Sequence, residues 1–101
     1  ARNGFSEAAF IGQRVQEIGA RLVNHFYTTG ITAAASAHWL ATFRDAFLFE
    51  DCVEDSPLRH EVTEQRVQAV DGWIEVPDGP GLGITLNEPL IRRYLVSESG
   101  A

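Results

Sequence analysis

Residues 71–83 read D-G-W-I-E-V-P-D-G-P-G-L-G, with four glycines and two prolines in one window. Glycine reaches positive φ and proline holds φ near −65°, so covalent constraint shapes this segment before packing acts on it. It reads as a short extended run, 73–76, between a turn at Asp71-Gly72 and a Pro/Gly-dense turn. An ordinary surface hairpin loop is the plain interpretation. A more specific one depends on what flanks it.

Upstream, residues 51–70 are polar and irregular. Asp51, Glu54, Asp55, Glu61 and Glu64 make the segment acidic, and Pro57 is expected to block a continuous helix. Before it, helix and strand alternate. Ala8, Phe10, Ile11, Val15, Ile18 and Leu22 follow helical spacing and predict a helix over 5–18. Ser6 is its expected cap, Glu7 complements its dipole, and Gly19 stands where a left-handed C-cap belongs. Residues 21–26 predict a strand buried by Leu22 and Val23 and polar at its C-terminal end. Residues 32–43 predict a second helix, capped by Thr29 or Thr32. Its small face (Ala33, Ala34, Ala35, Ser36, Ala37, Ala41) permits close approach to a sheet, and Trp39, Leu40 and Phe43 supply buried bulk. Phe47-Leu48-Phe49-Glu50 predicts a second strand, apolar until Glu50.

This order predicts parallel strands with helices outside. Two parallel strands cannot close a barrel, and their edges would stay open. The topology therefore points to a piece of a larger α/β assembly. The start Ala-Arg-Asn-Gly, in a chain without methionine, likewise reads as the continuation of a longer polypeptide. Downstream of the loop, Asn87 is expected to cap a helix over 88–95, with Pro89 tolerated in its first turn. Arg92-Arg93 suits the negative end of that helix, and 97–101 are expected to fray.

A chain of 101 residues has room for one domain, and 45% hydrophobic content suits a packed core. A net charge of −6, with eight scattered arginines and no lysine, excludes a nucleic-acid footprint. The single cysteine, Cys52, excludes an internal disulfide and fits a reducing, cytoplasmic compartment. No apolar run approaches the ~18 residues of a membrane span, so no membrane partner is expected.

In parallel α/β architectures, functional groups collect at the C-terminal ends of strands. His25 and Glu50 hold that position, one on each predicted strand. A hydrogen-bonded structural histidine is the plain alternative for His25; a carboxylate ending a buried strand must find a partner or a ligand. His38 and His60 read as structural or solvated, and Cys52, with no adjacent cation, as structural. Asp51, Glu54 and Asp55 lack EF-hand spacing, and G-P-G-L-G lacks the strand-then-helix context of a dinucleotide fingerprint.

Over essentially its whole length the chain resembles the mandelate racemase branch of the enolase superfamily. There a segment like V-P-D-G-P-G-L-G follows the last barrel strand and folds back against the capping domain. N-G-F-S-E-A (3–8) stands where the family often shows G-G-I-T-E-A. Leu22-Val23-Asn24-His25 looks like the seventh strand and its terminal general base. T-T-G-I-T-A-A-A-S-A-H-W-L (28–40) looks like the small-residue helix, and 47–50 like the eighth strand with its substrate-binding glutamate.

The resemblance implies an α/β fold, the C-terminal part of a (β/α)8, TIM-like barrel. Residues 1–55 would be its last βα units, and 56–101 a tail carrying the Pro/Gly loop and a terminal helix toward the capping domain. It implies a Mg2+-dependent enzyme that abstracts the proton α to the carboxylate of an acid sugar or 2-hydroxy acid. Dehydration or lactone cycloisomerisation ranks ahead of racemisation. His25 would be the general base and acid, and Glu50 would hydrogen-bond the substrate carboxylate. Tyr27 and Thr28 are further candidates for substrate hydroxyls. The family's Mg2+ ligands, and the aspartate that pairs with the base, match nothing in this chain and are expected on earlier strands. Partners would be the missing N-terminal part and further copies in a homo-oligomer, and the chain alone would be inactive. The competing reading is a small non-catalytic α/β module that binds a protein through its open strand edges or its Pro/Gly loop.

Overall fold

The computed structural model describes residues 4–98. Along them run α1 (Gly4–Glu17), β1 (Leu22–Val23), α2 (Gly30–Ala41), β2 (Ala46–Leu48), α3 (Pro57–His60), β3 (Ala69–Val70), β4 (Trp73–Ile74) and α4 (Glu88–Arg93). Mixed α/β class is observed, as expected. Asn3 of the N-G-F-S-E-A motif lies outside the described residues, as do 99–101 of the expected frayed end.

At the end of α1 the amide of Gly19 (φ 72°) bonds to the Gln16 carbonyl and that of Ala20 to the Val15 carbonyl, the paired bonds of a Schellman motif. Ser6 lies inside the first turn instead of capping it, because the helix already begins at Gly4. Only Ala8 and Gly12 of α1 are buried. Phe10 and Ile18 stay exposed.

β1 and β2 pair in parallel, Leu22 with Ala46 and Val23 with Leu48, with a register irregularity between the two pairs. Both strands are shorter than the sequence suggests. Burial alternates over residues 22–26, with Leu22, Asn24 and Phe26 inward and Val23 and His25 outward. Val23 is therefore exposed and not a buried partner of Leu22. Phe47 and Leu48, on opposite faces of β2, are exposed too, and of the two Phe47 carries the Arg21 guanidinium, 4.3 Å over its ring.

Helix α2 begins two residues earlier than expected. Its cap is Thr29, whose side chain accepts from the Thr32 amide at 3.4 Å. Ala33, Ala34 and Ala37 pack with Phe26 and Val67 into the core, and Leu40 is also buried. Trp39 and Phe43 are only half-buried and meet edge to face at 5.6 Å. Ala41, at the helix end, is exposed. No continuous helix runs through 51–70, as expected of Pro57; it opens the single turn α3, where proline at the first helical position loses no intrahelical bond. Asn87 caps α4 by accepting from the Leu90 amide at 3.4 Å. That helix stops at Arg93, with Arg92 and Arg93 in its last turn.

Strands β3 and β4 form a two-stranded antiparallel hairpin closed by Asp71 (φ 52°) and Gly72 (φ 82°). Two positive φ values give the primed turn that matches strand twist. The Pro/Gly loop beyond it does not stand free. Ile74, Val76, Leu82 and Ile84 pack against the core, and His38 on α2 donates from Nε2 to the Leu82 carbonyl at 2.8 Å. Within the loop the tightest glycine is Gly83 (φ 70°), where an added Cβ would stand 2.9 Å from Pro77 backbone and ring atoms.

That seating predicts a contrast between two glycines. Gly83→Ala should lower the unfolding free energy by about 3 kcal/mol, from left-handed strain together with the clash at Pro77. Gly81→Ala keeps the strain (φ 63°) but meets open space, and should cost about 1 kcal/mol. Urea denaturation of both variants checks this; equal losses would show that the loop does not press on Pro77.

Candidate active site

The end of β1 and the end of β2 bring two chemically active side chains together. Asn24 points inward and is 2% exposed. Its Nδ2 donates to the Glu50 carbonyl at 3.1 Å, and its Oδ1 accepts the Glu50 amide at 2.7 Å. The carboxamide thus continues the ladder past the last strand pair. One residue on, alternation turns His25 outward. Its Nδ1 lies 3.2 Å from Oε1 of Glu50, with the two side chains 82% and 45% exposed. With the carboxylate ionised, Nδ1–H donates to it, and Nε2 keeps its lone pair for an incoming proton.

Beneath this pair the packing is firm. Phe26 and Phe49 meet at 5.6 Å. The guanidinium carbon of Arg59 lies 5.0 Å over the Phe26 ring. Arg59 is 3% exposed, and Nη2 donates to the Asp51 carboxylate and to the Val67 carbonyl. A buried cation needs such a counter-charge and such acceptors. The residues that follow His25 and Glu50 are therefore tied to one buried arginine.

The other candidate residues lie on the same segments in different circumstances. Tyr27 is exposed, and its hydroxyl donates to Glu54; that bond and the negative charge behind it raise the phenol above its usual 10.0. Thr28 donates to the Thr32 hydroxyl at 2.9 Å. Both side chains commit their proton within the chain. His60 Nε2 is 3.7 Å from an Asp55 carboxylate oxygen, and Cys52 is half-buried against the core. A cavity of about 540 Å³ lies elsewhere, along Phe43, Phe47, Phe49 and Trp73.

Among the described residues no group of three or more His, Cys, Asp or Glu side chains stands close enough to hold a metal ion. The rim offers one imidazole and one carboxylate, whereas magnesium takes an octahedron of oxygens. These residues do not fit a magnesium ion.

Asn24 and Arg59 are absent from the sequence-based expectations. A signal for Asn24 existed: in an alternating strand it shares the inward face with Leu22 and Phe26, and a buried amide must find partners. Arg59 gave none, because its carboxylate lies across an irregular segment.

A family model described as enolase C-terminal domain-like matches residues 2–90. D-galactarolactone cycloisomerase of Agrobacterium fabrum is 30% identical over 99 residues, covering 90% of this chain and 26% of that protein. Arabinonate dehydratase of Saccharolobus solfataricus is 28% identical over 91 residues, covering 90% and 24%. Muconate cycloisomerase 1-1 of Acinetobacter lwoffii is 32% identical over 94 residues, covering 88% and 25%. The chain spans about a quarter of the length of these curated relatives.

The arginine beneath the rim yields a stability prediction. Asp51→Asn leaves a buried guanidinium without its counter-charge and should cost about 3 kcal/mol. Chemical denaturation measures it, and a loss under about 1 kcal/mol would show that Asp51 does not carry the compensation.

Proposed function

The chain belongs to the mandelate racemase branch of the enolase superfamily, and on that premise we propose that it completes an enzyme removing the proton α to the carboxylate of an acid sugar. In this reading 1–55 are the last βα units of a (β/α)8 barrel, and 56–101 are a tail that returns toward a capping domain. Exposed Phe47, Leu48 and Trp73 favour it, since a larger assembly would cover them. The observation that carries the chemistry is the 3.2 Å approach of His25 Nδ1 to Glu50 Oε1 at the ends of adjacent parallel strands.

His25 takes the α-proton at Nε2, the ring nitrogen turned away from Glu50. Its unperturbed pKa near 6.5 suits a base working near neutral pH. Once protonated, the imidazole helps to expel a β-hydroxyl or returns a proton to carbon. Glu50 donates to the substrate carboxylate from its protonated form, or orients a bound group when ionised. Tyr27 and Thr28 offer hydroxyl oxygens as acceptors beside it. An α-proton beside a carboxylate is too weak an acid for imidazole alone, and a bound magnesium ion would supply the missing charge stabilisation. Its ligands would come from strands outside this chain.

Dehydration or lactone cycloisomerisation is favoured over racemisation, supported by the dehydratase and cycloisomerase activities in the relatives' names. The working protein would be a homo-oligomer of longer chains. No helix among the described residues is long and apolar enough to cross a membrane, and a cytoplasmic site of action is part of the same proposal.

The test is exchange of the α-proton of arabinonate and D-galactarolactone with D2O, followed by proton NMR on the whole protein that carries this chain. His25→Asn should slow exchange at least about 10²-fold. Exchange at the unmodified rate would remove His25 from the role.

A further inference from the structure

Asn24 has no part in the proton transfer described above, yet its carboxamide is spent entirely on one catalytic neighbour. It accepts the Glu50 amide at 2.7 Å and donates to the Glu50 carbonyl at 3.1 Å. These two groups flank the Glu50 α-carbon, so both sides of that residue's backbone are held. The strand pairing itself ends at Val23 and Leu48, with an irregularity one pair earlier, and does not reach Glu50. Past that point the described hydrogen bonds between the two segments are made by Asn24 and by the His25–Glu50 pair.

We propose that Asn24 is a positioning residue, which fixes the Glu50 backbone so that its carboxylate stands at the rim beside His25 while Nε2 of that ring faces outward. The geometry follows from strand alternation: one strand end sends the imidazole out and the preceding carboxamide in. Rigid positioning of this kind governs rate more than affinity, and misplacing a catalytic group by about 1 Å costs up to about 10²-fold. The inference rests on His25 as the base.

Two variants test it in the whole protein. Asn24→Asp keeps the acceptor for the Glu50 amide but turns an oxygen toward the Glu50 carbonyl. Asn24→Leu removes both bonds, and if it fails to fold, Asn24→Asp carries the comparison alone. With arabinonate and D-galactarolactone as probes, kcat for α-proton exchange should fall about 10- to 100-fold, with KM changed less than about threefold. On a Glu50→Gln background the added loss should shrink to less than about threefold, because the carboxylate being positioned is gone. A folded Asn24 variant with unchanged kcat overturns the role, as does a full, multiplicative loss on the Glu50→Gln background. His25→Asn, measured in parallel, separates the two readings. Exchange lost there but unchanged in the Asn24 variants overturns the Asn24 role alone. Exchange retained in His25→Asn overturns the base assignment and this role together.

Discussion

Two strands of two and three residues form the parallel pair on which the rim depends, and backbone pairing that short holds little by itself. What extends it is a side chain acting as backbone. The Asn24 carboxamide presents the donor and acceptor that a further ladder residue would present, and it grips Glu50 with both. Because alternation is strict from Leu22 to Phe26, burying that amide obliges His25 to face outward. A one-residue slip would exchange the two, sending the imidazole inward and leaving an amide at the rim.

The layers below serve the same end. The alanine face of α2 lets that helix lie close enough to bury Phe26, and Phe26 in turn lies beneath the arginine that holds Asp51. The Pro/Gly loop closes over the same helix through His38 and Leu82. Core, loop and rim are thus coupled through α2, the segment with the smallest side chains. Small residues permit that closeness; larger ones at Ala33 or Ala34, which have no exposure at all, would push the layers apart.

Much of this was legible in the residues. Helical spacing placed α1 and α2, the order of elements made β1 and β2 parallel, and Asp71-Gly72 marked the hairpin turn. Strand-end logic picked out His25 and Glu50, which the structure brings into contact. Other features were not legible, for physical reasons. Pro57 marks where no helix can run through, but not that a single turn begins at it. Val23 and Phe47 look buried because apolar type does not reveal which face lacks a cover. Arg59 and Asp51 pair through tertiary approach across a segment without periodicity, where no spacing rule applies. The family resemblance reached further than pattern did, and the match over residues 2–90 supports it.

The central claim is that an imidazole and a carboxylate on neighbouring strand ends face one acid-sugar substrate. A crystal structure of the whole protein with arabinonate bound tests it most directly. The account predicts Nε2 of His25 within about 3.5 Å of the sugar α-carbon, with Glu50 at the same rim and its backbone held by Asn24. A sugar bound away from that rim, or His25 and Glu50 turned to opposite faces of the sheet, would contradict it.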